Sequence, residues 1–392
     1  MYVCDSVTSI KGPFTNFAAL LLRFAAAQHT WPAMALTEIA RRPLRPETLA
    51  RWLFIVAGFV IASLVIGGIT RLTESGLSIA NWRPISGIIP PLTEAQWQAE
   101  FSAYQQIPQF QQVNGPAGMT LVQYKQIFFW EWLHRFFVRS GLSLSYLLPL
   151  GWFWLRGAIP ANFKPRLLGL LALGGMQGVV GWLMVRSGLG ADADVKVSHL
   201  WLAAHLSLAL TLLAALVWTA LDLKADARGE PPARITRLGA LALGMLAVQL
   251  FYGALLAGLR AGPVAGGGWF NWQAWPLMQG KFVPAGIDWS RGVVHALLAD
   301  PYLVHFAHRW WAWLTVAVLV VLARRVRTVE RRASVAIHIA FGIQILLGIA
   351  TVMSGISLWL AGLHQLTGAV LLALTGWCAH ILGRRTAAFS MH

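Results

Sequence analysis

The chain has 392 residues, 57% of them hydrophobic and only 12% charged, with a formal net charge of +16. A soluble globular domain carries about 25% charged residues, so the composition excludes an ordinary soluble enzyme and points to an integral membrane protein. The two cysteines, Cys4 and Cys378, form no Cys-x-x-Cys or Cys/His cluster, which excludes a disulfide framework and a zinc finger.

Residues 1–45 read as an N-terminal cytoplasmic extension. Their apolar run FTNFAALLLRFAAA is too short to span a bilayer, is interrupted by Arg23, and shows no signal-peptide cleavage pattern. A spanning helix needs about 20 mostly apolar residues. Eight segments meet that length: 51–70, 127–155, 166–186, 199–221, 236–259, 302–323, 334–353 and 358–382. Two connections are long, 71–126 and 260–301. With an even number of spans both termini share a side. That side collects most of the basic residues, among them Arg41, Arg42, Lys224, Arg228, Arg234, Arg237, Arg324, Arg325, Arg327, Arg331 and Arg332. The positive-inside rule places it in the cytoplasm and the two long loops outside. The run RRVRTVERR, 324–332, is therefore a cytoplasmic anchor between two spans, and the positive charge is topology, with no nucleic-acid partner implied.

The third and seventh spans carry matching windows, MQGVVGWLMVRSGL (176–189) and IQILLGIATVMSGI (343–356). Gln177 matches Gln344, Gly181 matches Gly348, Ser187 matches Ser354 and Gly188 matches Gly355. EWLHRFF with His134 in the second span matches HFAHRWW with His308 in the sixth. The predicted fold is thus an all-α integral membrane protein of eight transmembrane helices, arranged as two pseudo-symmetric four-helix bundles, 46–225 and 226–392. Such internal symmetry places sites within or between the repeats.

His134, His205, His308 and His364 lie in the second, fourth, sixth and eighth spans. Each is about six residues from the outer end, roughly 9 Å deep at 1.5 Å per residue. Ionisable groups at membrane depth are costly and mark functional sites. Zinc would want three or four ligands, blue copper a Cys and Met set, and a proton relay carboxylates along the depth. A haem iron wants two axial ligands from facing helices. Two haem sites fit: His134 with His205, and His308 with His364. His199 and His305 remain alternative ligands, while His338 and His380 have no matched pattern. Glu131, three residues before His134, shares its helical face; the matching residue before His308 is His305. Glu131 reads as a proton carrier or electrostatic stabiliser, or as the buried partner of Arg135 or Arg139. Arg135 and Arg309, each next to a ligand, are suited to haem propionates or to lipid headgroups.

These residues resemble the haem A synthase family, in its proteobacterial and mitochondrial branch, over about 50–385. The strongest motifs are GGITRLTESGLSIANWRPISGIIPP (67–91) and MTLVQYKQIFFWEWLHR (119–135), with VSHLWLAAHL (197–206) and GLHQLTGAVLL (362–372). The resemblance implies an enzyme that oxidises a methyl group of haem O to a formyl group, making haem A for terminal oxidases. It implies haem O on His134 and His205, a haem b cofactor on His308 and His364, and a catalytic Glu131. The outer-loop cysteine pair of a Gram-positive branch is absent, so thiol chemistry there is not expected.

The expected partners are haem O, the haem O synthase that supplies it, an electron donor and the lipid bilayer; a homo-oligomer is compatible with all of this. The expected location is the cell inner membrane. The runner-up function is a bis-histidine di-haem cytochrome carrying electrons from quinol. It would use symmetric sites, and Glu131 breaks that symmetry. A haem transporter would need a polar path to the cytoplasm, and the cytoplasmic halves of the spans offer none.

Overall fold

The computed structural model describes residues 46–81, 83, 86–190 and 195–389, and within them each long apolar run is helical. The extension expected over 1–45 lies outside the described residues. The α-helices are α1 (Pro46–Leu72), α2 (Glu94–Tyr104), α3 (Leu121–Phe136), α4 (Ser143–Leu155), α5 (Lys164–Arg186) and α6 (His199–Asp226). They continue with α7 (Arg237–Leu259), α8 (Val293–Ala299), α9 (Pro301–Arg327), α10 (Arg331–Met353) and α11 (Leu358–Phe389). Seven of them, α1, α5, α6, α7, α9, α10 and α11, are long and apolar enough to cross a membrane.

The segment expected as one span over 127–155 differs. It is helical from Leu121 to Leu155, but α3 and α4 are joined by a π-helical segment, Phe137–Leu142, so no uninterrupted α-helix of spanning length forms. Local competition accounts for the break. Arg139 Nε donates to the Arg135 carbonyl and Ser143 Oγ to the Val138 carbonyl, each at 3.1 Å, so side chains take acceptors that a regular helix would use. Gly141 adds the weakest helix former after proline. One turn further on, Pro149 has no N–H for the Ser145 carbonyl. Trp52 of α1 fills the gap, its indole N–H donating to that carbonyl at 2.8 Å.

Helix ends follow their residues. α9 opens on Asp300, whose carboxylate accepts the Leu303 amide at 2.8 Å, and has Pro301 in its first turn. It closes on Arg324, Arg325 and Arg327, cations at the negative end of the helix dipole. α2 and α3 each begin with a capping box, Thr93 with Gln96 and Thr120 with Gln123.

One packing pattern occurs twice. α1 packs on α6 and α3, and α6 on α5; α7 packs on α11 and α9, and α11 on α10. The two sets meet through α6 on α7, α11 on α1 and α11 on α6. α5 buries only Leu167 and Leu170 and leaves Leu168, Met176, Val179 and Trp182 exposed. α10 likewise exposes Val335, Ile339, Ile343 and Leu346. Such continuous apolar faces suit lipid, and the chain is a multi-pass membrane protein.

The first long connection builds its own core from Leu77, Phe101, Tyr104, Ile107, Tyr124 and Phe128. Each fully buried side chain of this size contributes about 1.5–3 kcal/mol. Tyr104 donates to Gln109 at 3.1 Å and accepts from Asn114 at 2.6 Å, and burial pushes its phenol up to about 12. This cap holds residues 77–79 against the outer half of α3.

Candidate functional site

Each of the four histidines rests on a glycine of the preceding span. A Cβ added to Gly67 would lie 2.9 Å from Cε1 of His134, and at Gly181 2.7 Å from Cε1 of His205. At Gly253 and Gly348 it would lie 3.0 Å from Cε1 of His308 and of His364. Only glycine lets a ring approach the neighbouring backbone so closely. One turn before three of these glycines stands a glutamine. Gln177 Nε2 donates to the His205 carbonyl at 3.0 Å and lies 3.4 Å from its Nε2. Gln249 Nε2 donates to the His308 carbonyl at 3.0 Å and lies 3.1 Å from its Nδ1. Gln344 Nε2 lies 3.4 Å from His364 Nε2. In the first pair the corresponding residue is Ser63, whose hydroxyl donates to the Phe59 carbonyl of its own helix at 2.9 Å. The sequence reading marked the glutamine and glycine in the third and seventh spans but missed Gln249 with Gly253. The signal was present as the same Gln-x-x-x-Gly spacing in the fifth.

Two of the histidines face each other closely. The His308 and His364 rings are 6.4 Å apart between centroids, at 81°. With metal–imidazole bonds of roughly 2 Å, two trans ligands place their centroids about 6 Å apart, so this pair fits a metal held between the rings. Nδ1 of His134, His205 and His364 is buried without a hydrogen-bond partner. Leaving such an atom unsatisfied costs about 1–3 kcal/mol, a cost that ligation or a bound group removes. A haem iron between each pair fits this donor set.

Glu131 is 2% exposed, one turn outside His134. Its Oε2 accepts the Ser78 hydroxyl and the Ile79 amide, each at 2.8 Å, and its Oε1 accepts Arg135 at 2.5 Å. Arg135 also donates to the Ile79 carbonyl at 3.2 Å. The sequence reading had the Glu131–Arg135 pair in view but missed Ser78 and Ile79, which the loop core delivers. Arg139 turns away from Glu131 to the Arg83 and Gly87 carbonyls, at 2.8 and 3.2 Å.

The second half shows the same plan with other chemistry. His305, at the place of Glu131, holds the Ala261 carbonyl through Nδ1 at 2.9 Å. Arg309 is 6% exposed and donates to the carbonyls of Ala274, Pro276 and Leu277 at 3.1, 3.1 and 2.8 Å. Its other nitrogen lies 3.3 Å from His305 Nε2. Both Arg135 and Arg309 therefore tie a long connection to a histidine-bearing helix.

The remaining histidines have structural surroundings. His199 opens α6 and packs on Gly258, where a Cβ would lie 2.8 Å from its Cα. His338 Nδ1 holds the Ser334 carbonyl at 2.7 Å. His380 Nε2 meets Asp222 Oδ1 at 2.9 Å, and Arg166 meets the other oxygen at 2.5 Å. That buried cluster was also missed; its signal was one aspartate within an apolar helix. Gln365, next to His364, donates to the Leu64 carbonyl of α1 at 2.7 Å and joins the two sets of helices against Gly68.

Residues 50–375 match the family described as Cytochrome oxidase assembly protein. The chain is 62% identical over 337 residues to the Heme A synthase of Novosphingobium aromaticivorans, covering 86% of this chain and 95% of that protein. It is 53% identical over 337 residues to the Heme A synthase of Erythrobacter litoralis, covering 86% and 97%. With that of Sphingopyxis alaskensis the identity is 51% over 346 residues, covering 88% and 94%.

Proposed function

The chain belongs to the cytochrome oxidase assembly protein family, and we infer that it is a haem A synthase, a membrane oxidoreductase that converts haem O to haem A. The observation that carries the residue assignment is the seating of four histidines in two pairs, with a buried carboxylate beside only one of them. We propose that Leu121–Leu155 crosses the membrane as an eighth span, and that 46–225 and 226–392 form two pseudo-symmetric four-helix halves. The repeated helix pairing supports this division.

His134 and His205 hold the substrate haem O, and His308 and His364 hold haem b, which supplies one-electron transfer when bound. Oxidation of the methyl group to formyl withdraws electrons from one carbon. A carboxylate fixed beforehand in a dry site stabilises the positive charge that develops there. Glu131 meets that need, because Ser78, the Ile79 amide and Arg135 fix it without reorganisation. Arg135 and Arg309, each positioned by its outer loop, are the candidates for haem propionates. Both termini lie in the cytoplasm, a reading that the distribution of basic residues supports, and the enzyme works in the cell inner membrane with haem O synthase upstream and a separate electron donor.

A di-haem quinol cytochrome has no use for a carboxylate in one half alone. Extraction of pigments from the purified protein, followed by mass spectrometry, tests the reading. Haem O together with haem A and haem b is expected; haem b alone overturns the synthase assignment.

A further inference from the structure

Three of the four seated histidines have a glutamine amide on them, and one does not. Gln177, Gln249 and Gln344 reach His205, His308 and His364. Ser63, in the corresponding place for His134, is too short and spends its hydroxyl on Phe59 of its own helix. His134 Nδ1 is buried without a partner, as are those of His205 and His364, so the glutamine is what separates the seats. His134 also differs in its own helix. The π segment begins at Phe137, three residues after it, whereas α6, α9 and α11 run as regular α-helices through their histidines. π-segments inside α-helices concentrate at functional sites, and this one begins within a turn of His134, with no counterpart beside His308.

We propose that His134 is the releasable axial ligand and that Ser63 makes it so by withholding the amide clamp, so that the first-half haem exchanges by loss of the His134 bond while His205 retains it. Ser63 is a positioning residue acting through His134. The inference rests on the reading that the first half holds the substrate. A substrate site must release product in every cycle, whereas a cofactor site must not. Differences of this kind between related sites reside mainly in the dissociation rate.

The test uses the full-length purified protein with both haems bound, mixed with excess apomyoglobin as haem acceptor. Transfer is followed by absorption, the transferred pigment is identified by mass spectrometry, and the spin state of each haem is read by electron paramagnetic resonance. In the unaltered protein the first-half haem leaves first. Ser63→Gln supplies the missing amide; it slows that transfer about tenfold, as one gained hydrogen bond implies, and strengthens the low-spin signal of the first-half haem. Gln249→Ser copies the first-half arrangement into the second; it speeds loss of that haem about tenfold and moves its signal toward high spin. Equal release from both halves overturns the proposal, and so does a folded Ser63→Gln protein with unchanged release. If Ser63→Gln does not fold, Gln249→Ser decides, and unchanged release and spin state there overturn the clamp. His308→Ala separates the underlying assignment. Should it lose haem O and keep haem b, the allocation of haems to halves fails, while the order of release by half still judges the clamp.

Discussion

Glu131 and His305 occupy the same place in the two halves, three residues before a histidine seated on glycine, and both hold an outer loop. Glu131 accepts from Ser78 and Ile79, while His305 binds the Ala261 carbonyl. The arginine one turn inward completes each arrangement, Arg135 on Ile79 and Arg309 on three carbonyls. The scaffold around a ligand is thus the same in both halves. One side chain decides whether the position holds a fixed carboxylate or an imidazole bonded to a loop carbonyl. The second difference lies beneath the histidine, where α3 breaks into a π segment and α9 does not. Both departures fall in the first half, the half read as the site of turnover.

The largest effect on this comparison is expected from Glu131→Ala. Both haems should remain bound while haem A formation falls a hundredfold or more, the usual scale for loss of a group acting in the transition state, about 10² to 10⁴. Pigment mass spectrometry reads both quantities, and an undiminished haem A yield would remove the catalytic role. Next come His134→Ala and His308→Ala. Each should remove one haem and leave the other, so the pyridine haemochrome spectra of the two variants should lose different haem types. Identical losses would dissolve the distinction between halves.

Gly253→Ala and Gly181→Ala sharpen the same point at lower cost. The added methyl meets His308 or His205 at 3.0 or 2.7 Å, so the low-spin signal of the affected half should weaken. Gly58→Ala, where a Cβ meets nothing within 4 Å, should be neutral or gain up to about 1 kcal/mol of helix propensity. Arg309→Lys removes planar donors from three loop carbonyls and should lower thermal stability by about 1–3 kcal/mol with little change in haem content. The smallest effect is expected from Glu100→Gln, which breaks a salt bridge to Arg83 in the outer cap. That arginine is 54% exposed, so the change in stability should stay within about 1 kcal/mol.

Seven of the spans were legible because length and apolarity are one-dimensional properties. The Gln-x-x-x-Gly pattern was half legible. It stands out where the third and seventh spans are aligned, and it was missed in the fifth, where the intervening residues differ. The π segment was not legible. Gly141, Ser140 and Ser143 are compatible with an ordinary span, and only their competition for particular carbonyls shows otherwise. The partners of Glu131 were hidden for another reason. Ser78 and Ile79 are 53 and 52 positions away, and the burial of Tyr104, Tyr124 and Phe128 carries them to the carboxylate. The two arginines were expected to face propionates or headgroups, and the loop carbonyls they hold depend on the tertiary course of the chain.

The glycine seats set the size of the part that positions one imidazole. Each imidazole leans on the helix immediately before it in the order of spans, Gly67 with His134, Gly181 with His205, Gly253 with His308 and Gly348 with His364. The recurring unit is therefore a histidine-bearing helix with the glycine-bearing helix before it, and the described residues contain it four times. The four are joined by broad faces, α1 on α6, α7 on α11, α6 on α7 and α11 on α1, as well as by Gln365 on Leu64. What differs at His134 is local to its own seat, where Ser63 stands in the place of a glutamine.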